Sequence, residues 1–299
     1  MAYSSKGRFP IGSPLDSRIA KYNPKTSQDF ENALKEIIQE ITLTGLARGN
    51  FFDKAAFYGG TALRIFYGLP RFSEDLDFTL LSSQPGFSLR PYFKSVEETL
   101  NSFGLDVTIE EATKKQSDVE SAFLKANTKI HFLKIDAGEK FAGKIHDNKK
   151  MNVKFEVDTT PPLGFETEVK VLTPPITASV KVLKPSYLFA GKMHAILFRK
   201  WQTRIKGRDF YDLLWYLGQQ ITLNLDYLEN KMRDGKTWTK STKLTREDLM
   251  EILEERIHSI DFKNAAQDVT TFIKDPAEVA IWNKELFLSA IKSMKTDIL

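Results

Sequence analysis

A short apolar run, Ala55-Ala56-Phe57-Tyr58, passes directly into Gly59-Gly60-Thr61 and then into a helical pattern that ends at Tyr67. A second apolar run, Leu76 to Leu80, follows the polar stretch Arg71-Phe72-Ser73-Glu74-Asp75. Short apolar runs bounded by glycine or polar breaks read as buried strands, and the segment between them as a short helix. The order strand, glycine turn, helix, strand commits this region to a layered α/β arrangement, because the helix must bury its apolar side against the sheet. A helix that starts on a glycine turn also presents unpaired backbone N–H groups and the positive end of its dipole, where anions bind.

Asp75 and Asp77 bracket Leu76 at the start of the second strand. Residues two apart on an extended strand point to the same face, so these carboxylates sit side by side. Such a pair calls for a cation, and Mg²⁺ (or Mn²⁺) is usually held by one or two carboxylates together with substrate phosphates. With Gly59, Gly60 and Thr61 offered to phosphates, the two halves describe a metal-nucleotide site. The plainer alternatives are a solvated strand end and glycines that only close a turn. A two-metal site needs a further carboxylate from a neighbouring strand. In Lys154-Phe155-Glu156-Val157-Asp158 the polar residues share one face and the apolar residues the other. Glu156, mid-strand among apolar neighbours, is the first choice and Asp158 the second; a wet edge strand is the alternative. Arg71 and Ser73 are placed to contact phosphate oxygens or orient the loop. Lys192, and Arg204, Lys206 and Arg208 ahead of Asp209, supply positive charge suited to a polyphosphate. An ordinary charged helix face would account for the last three equally well.

Composition narrows the chemistry. The chain has no cysteine, which excludes disulfides, thiolate catalysis and cysteine-held zinc. Its four histidines, His131, His146, His194 and His258, include no pair at the i, i+4 spacing of a helical zinc site. A carboxylate-based site remains. A net charge of +4 permits a polyanionic partner without demanding one. No apolar run approaches the length of a membrane-spanning helix, and residues 1–25 lack the apolar core of a signal peptide, so no membrane partner and a cytoplasmic location are expected.

Along the chain, residues 1–25, rich in Ser, Gly, Pro and basic side chains, read as an extended arm. A helix is expected from Ser27, with Phe30, Leu34, Ile37, Ile38 and Ile41 on its buried stripe. After a helix over 91–103, the alternation at Val107 to Ile109, Ile130 to Phe132, Val153 to Val157, Val169 to Val171 and Val180 to Val182 marks strands. The segment 116–134 is compatible with helix or strand. Pro185 suits the first turn of a helix. Beyond it, helices are expected over 186–200, 209–218, 246–258, 265–274 and 281–295. The expected organisation is an α/β domain over 26–184 and a helical domain over 185–299.

The ordered set Phe57-Tyr58-Gly59-Gly60-Thr61-Ala62-Leu63, Arg71-Phe72-Ser73-Glu74-Asp75-Leu76-Asp77-Phe78, Lys154-Phe155-Glu156-Val157, a helix bearing Lys192, and Arg208-Asp209-Phe210-Tyr211-Asp212-Leu213 resembles the AbiEii/AbiGii abortive-infection toxins. These form a branch of the nucleotidyltransferase superfamily with polymerase-β-like folds. The resemblance implies a mixed sheet flanked by helices, followed by a helical C-terminal domain. By motif position it implies that Gly59, Gly60 and Thr61 hold phosphates, that Asp75 and Asp77 bind Mg²⁺ with Glu156 as third acidic residue, and that Lys192 contacts the nucleoside triphosphate. Asp209 belongs to a later family motif. It implies transfer of a nucleotide from an NTP to an acceptor, with RNA, and tRNA in particular, as the leading acceptor and an antitoxin as partner. A small-molecule or protein nucleotidyltransferase, or a catalytically silent nucleotide-binding module, are the competing functions.

Overall fold

The computed structural model describes residues 14–111, 119–127, 150–173, 176–200 and 205–297. The elements, in chain order, begin with α1 (Pro14–Tyr22), α2 (Ser27–Arg48), β1 (Ala55–Tyr58), α3 (Gly59–Tyr67), β2 (Leu76–Leu80) and α4 (Arg90–Ser102). Strands β3 (Val107–Glu111), β4 (Val119–Asn127), β5 (Lys150–Asp158), β6 (Thr167–Leu172) and β7 (Ala178–Leu183) follow. Then come α5 (Pro185–Phe198), α6 (Gly207–Gly218), α7 (Leu225–Asp234), α8 (Arg246–His258), α9 (Phe262–Val269), α10 (Ala277–Ala280) and α11 (Lys284–Ile291). The chain divides into two compact units, the first made of residues 1–57, 74–161 and 169–181, the second of 58–73, 162–168 and 182–299.

The first unit is built on a mixed sheet of order β3-β4-β5-β2-β1-β7-β6. β2 runs parallel to β5, and β4 runs antiparallel to both β3 and β5. One face is apolar: Leu76, Phe78 and Leu80 of β2, Met151, Val153, Phe155 and Val157 of β5, and Ala122 and Leu124 of β4 are all buried. Helix α2 packs against β5 and against α4. A capping box starts α2, with Thr26 Oγ1 accepting the Asp29 N–H at 3.1 Å and the Asp29 carboxylate accepting the Thr26 N–H at 2.9 Å. Within the region left open between helix and strand, 119–127 is strand β4; the strand expected at Ile130 to Phe132 lies outside the described residues.

The N-terminal expectation needs correction. Residues 14–22 are helical, with Leu15 and Ile19 fully buried at i, i+4 spacing. The cause is on α2, whose buried Glu36 and Glu40 require partners. Tyr22 donates its hydroxyl to Glu36 at 2.8 Å, and Arg18 pairs with Glu40. Composition dominated by Ser, Pro and basic residues conceals this two-residue apolar stripe.

The second unit holds α3 and the helices from α5 onward. Pro185 occupies the first turn of α5, as its fixed φ and missing N–H allow. Helix α7 is one that periodicity did not suggest: Asn224 Oδ1 caps it by accepting the Tyr227 N–H at 2.8 Å, while Tyr227, Leu228 and Met232 are buried among charged neighbours. The last helices are shorter than expected, α9 giving way to a tight turn over Thr270–Phe272 and α11 ending at Ile291. The rings of Phe210, Phe262 and Phe287 form the local core, with Phe262 and Phe287 stacked at 4.3 Å. Helices α6 and α9 meet at backbone distance, since a Cβ on Gly207 would lie 1.7 Å from the Ala265 carbonyl oxygen. Among the described residues no helix is long and apolar enough to cross a membrane.

Candidate active site

In the first unit, the parallel register of β2 and β5 sets Asp77 beside Glu156 and Thr79 beside Asp158. The antiparallel register of β4 and β5 sets Ser121 opposite Glu156. Asp77, Glu156 and Ser121 therefore form one row across adjacent strands, on the face opposite the apolar core. Asp75 immediately precedes β2. The turn before it is pinned from α2, where buried Gln39 donates through Nε2 to the Glu74 carbonyl at 2.9 Å. Glu156 has a cationic neighbour, Lys154 Nζ, at 2.6 Å on the same strand face. Asp158 accepts the Thr160 N–H at 3.2 Å. Ser121 Oγ is buried without a hydrogen-bond partner among the described residues.

These donors are all hard oxygens, the chemistry that suits Mg²⁺. Among the described residues no three carboxylate or histidine side chains stand close enough to hold a metal ion by themselves. The described residues therefore form no all-protein cage, and an ion there would have to complete its shell from substrate phosphate and water.

In the second unit, Gly59 carries a φ of +81°, a backbone conformation that favours glycine, and α3 starts there. Tyr58 at the N-cap makes no side-chain capping bond to the first turn of α3. Gly60 is required for a different reason. A Cβ there would lie 2.7 Å from Arg71 Nη2 and 3.0 Å from Ser73 Oγ, so the arginine and the serine occupy the space a side chain would take. Thr61 is fully buried. Arg71 is itself buried: its Nε and Nη2 each donate to Asp212 at 2.6 Å, and its Nη1 donates to the Phe72 carbonyl at 2.9 Å. Arg71, read from the sequence as a phosphate contact or a residue orienting the loop, thus directs its guanidinium into the protein toward Asp212.

Lys192, on α5, stands 2.7 Å from Asp209 and 2.9 Å from Asp212, both on α6, and Asp209 also takes Arg199 Nη1 at 2.6 Å. Burial alone would lower the Lys192 pKa, but the attraction of Asp209 and Asp212 prevails and raises it, so the ammonium stays charged. Burial would likewise raise the Asp209 carboxyl, and Lys192 and Arg199 hold it below its usual range. Of the basic residues ahead of Asp209, Arg208 lies over the Phe272 ring at 4.2 Å, Lys206 is exposed, and Arg204 lies outside the described residues.

A family model described as nucleotidyl transferase AbiEii toxin, type IV TA system, matches residues 41–285. The chain belongs to the AbiEii nucleotidyltransferase toxin family. Membership places it among toxins of toxin–antitoxin systems and implies an antitoxin as counterpart. No match was found among curated proteins. Similar solved structures include JHP933 from Helicobacter pylori, 20% identical, covering 88% of this chain and 91% of that one at a TM-score of 0.49. A proposed nucleotidyltransferase from H. pylori is also 20% identical, with 86% and 91% covered at a TM-score of 0.46. An antigenic nucleotidyltransferase-like protein from Paracoccidioides brasiliensis is 13% identical, with 80% and 96% covered at a TM-score of 0.39.

In this AbiEii chain the structure groups the sequence candidates into two sets, Asp75, Asp77, Glu156 and Asp158 in one unit and Gly59, Gly60, Thr61, Arg71, Ser73, Lys192 and Asp209 in the other. Sequence reasoning gave no role to Asp212, Arg199, Ser121 or the ion pair of Lys154. The Asp209-x-x-Asp212 spacing, which puts both carboxylates on one helix face, was the available signal for the first.

Proposed function

We propose that this chain transfers a nucleotide from a nucleoside triphosphate to an acceptor in a Mg²⁺-dependent reaction, with the end of an RNA, tRNA first, as acceptor. The observation that carries the reading is the carboxylate row, in which β2 and β5 set Asp77 directly beside Glu156 just after Asp75. The acceptor hydroxyl oxygen forms a bond to the α-phosphorus, the bond from that phosphorus to the bridging oxygen of the β-phosphate breaks, and pyrophosphate leaves with that electron pair. The hydroxyl proton passes to solvent. When bound, Mg²⁺ supplies Lewis-acid stabilisation of the attacking and leaving oxygens. Asp75 and Asp77 would hold it, with Glu156 as the third acidic residue.

The backbone N–H groups at Gly59, Gly60 and Thr61 and the Ser73 hydroxyl are donors suited to phosphate oxygens. Lys192 keeps its charge and offsets the negative charge of the triphosphate, with Asp209 keeping the ammonium protonated. The test is incubation with labelled NTPs, Mg²⁺ and total tRNA beside an Asp75→Asn/Asp77→Asn protein. Label in RNA that disappears in the variant supports the reading. Label in a protein or small molecule moves the acceptor class, and no label under any divalent metal leaves a silent nucleotide-binding module.

A further inference from the structure

The buried ionic cluster of the second unit does more than neutralise charge. Asp212, with no exposed surface, is its node: Oδ2 accepts from Arg71 Nη2 at 2.6 Å and lies 2.9 Å from Lys192 Nζ, while Oδ1 accepts from Arg71 Nε at 2.6 Å. The planar guanidinium engages both carboxylate oxygens at once and so fixes the orientation of that carboxylate. A lysine side chain, by contrast, is a flexible stem that ends in a point charge. Between Asp209 and Asp212, which share one face of α6, its ammonium is confined to one place. Arg71 in turn fills the space beside Gly60 at the start of α3, and α3 packs against α5, which carries Lys192. One carboxylate thereby joins the arginine lodged at the glycine turn to the lysine on the neighbouring helix.

We infer that Asp212, oriented by Arg71, is a positioning residue that fixes the Lys192 ammonium for the phosphates of a nucleoside triphosphate. The inference rests on the proposed role of Lys192 in binding that nucleotide. A purely structural ion pair would need only Arg71 and Asp212; the third contact, to a partly exposed lysine with its own second carboxylate, is what a structural pair does not require.

Removing Asp212 alone leaves Arg71 buried without a counter-charge, and Asp212→Asn is expected to fold poorly. The informative protein is Arg71→Met/Asp212→Leu, which replaces both charges by apolar groups of similar size, an exchange that buried pairs often tolerate. Three readouts are taken: thermal midpoint, affinity for a mant-labelled NTP, and the rate at which Lys192 is acetylated in a brief acetic anhydride pulse read by mass spectrometry. The paired variant is expected to melt within a few degrees of the wild type, to bind the NTP about tenfold more weakly, and to acetylate Lys192 several-fold faster. Wild-type NTP affinity together with a wild-type acetylation rate in the folded variant would overturn the inference. The unmodified chain gives an arm that needs no variant: Lys192 should acetylate far more slowly than exposed Lys206, and equal rates would also overturn it. Lys192→Gln separates the inference from its premise. If that protein binds mant-NTP as the wild type does, the nucleotide role of Lys192 fails, while the acetylation rates still report whether Asp212 fixes the lysine.

Discussion

His194 lies on α5 two residues beyond Lys192, and it should make the stability of this protein depend on mildly acidic pH. Its ring is half-buried, 5.2 Å from the Phe198 ring, and its buried Nε2 has no hydrogen-bond partner among the described residues. Burial first, and the nearby Lys231 ammonium second, push its pKa down to about 4, with Asp234 opposing. The folded protein therefore holds a neutral imidazole where the unfolded chain takes up a proton near pH 6.5. Below that pH the unfolded state binds more protons than the folded state, so stability falls as the pH drops and stops falling below about 4. From a pKa near 6.5 unfolded and about 4 folded, the loss between pH 8 and pH 5 is about 2 kcal/mol, and the solvent-facing part of the ring reduces this to about 1–2 kcal/mol. Urea denaturation of the wild type and of His194→Leu at several pH values between 8 and 4.5 isolates the effect. Carboxylates such as Asp209, held below their usual range, contribute equally to both proteins and cancel in the difference. The variant should gain on the wild type as the pH falls. A stability difference that is flat across this range, or an imidazole seen by NMR to titrate near its ordinary value, would refute the reasoning.

Other consequences are equally concrete. Gly207→Ala places a methyl group 1.7 Å from the Ala265 carbonyl oxygen, and forcing α6 and α9 apart should cost about 3 kcal/mol or more, read as a lowered thermal midpoint. Gly60→Ala meets Arg71 Nη2 at 2.7 Å; because Asp212 holds that guanidinium, the variant should lose about 1–3 kcal/mol in urea denaturation and weaken NTP binding. Lys154→Met removes the cation beside Glu156, and Mn²⁺ binding followed by EPR should tighten by about tenfold; unchanged affinity would show that Glu156 does not face the ion. Thr26→Ala breaks the capping box of α2 and should cost about 1 kcal/mol.

The amino-acid sequence determined the features that local physics controls. Alternation within each strand separates polar from apolar positions, so Asp75 with Asp77, and Glu156 with Asp158, were each readable as sharing a face before any fold was known. Gly59 marks a helix start because few other residues tolerate its positive φ, and Pro185 marks another for the reason of its fixed φ. Periodicity failed where the stripe was short or interrupted, as in α1 and α7, whose burial is set by partners on other elements. Tertiary structure alone decided who stands beside whom. It set β2 parallel to β5 so that Asp77 meets Glu156, and it made Arg71, read from the sequence as a phosphate contact or a loop-orienting residue, the partner of Asp212, 141 residues away. A side chain's pattern along its own strand or helix encodes whether it is buried; which charge awaits it there depends on packing between distant segments, and no local spacing carries that information.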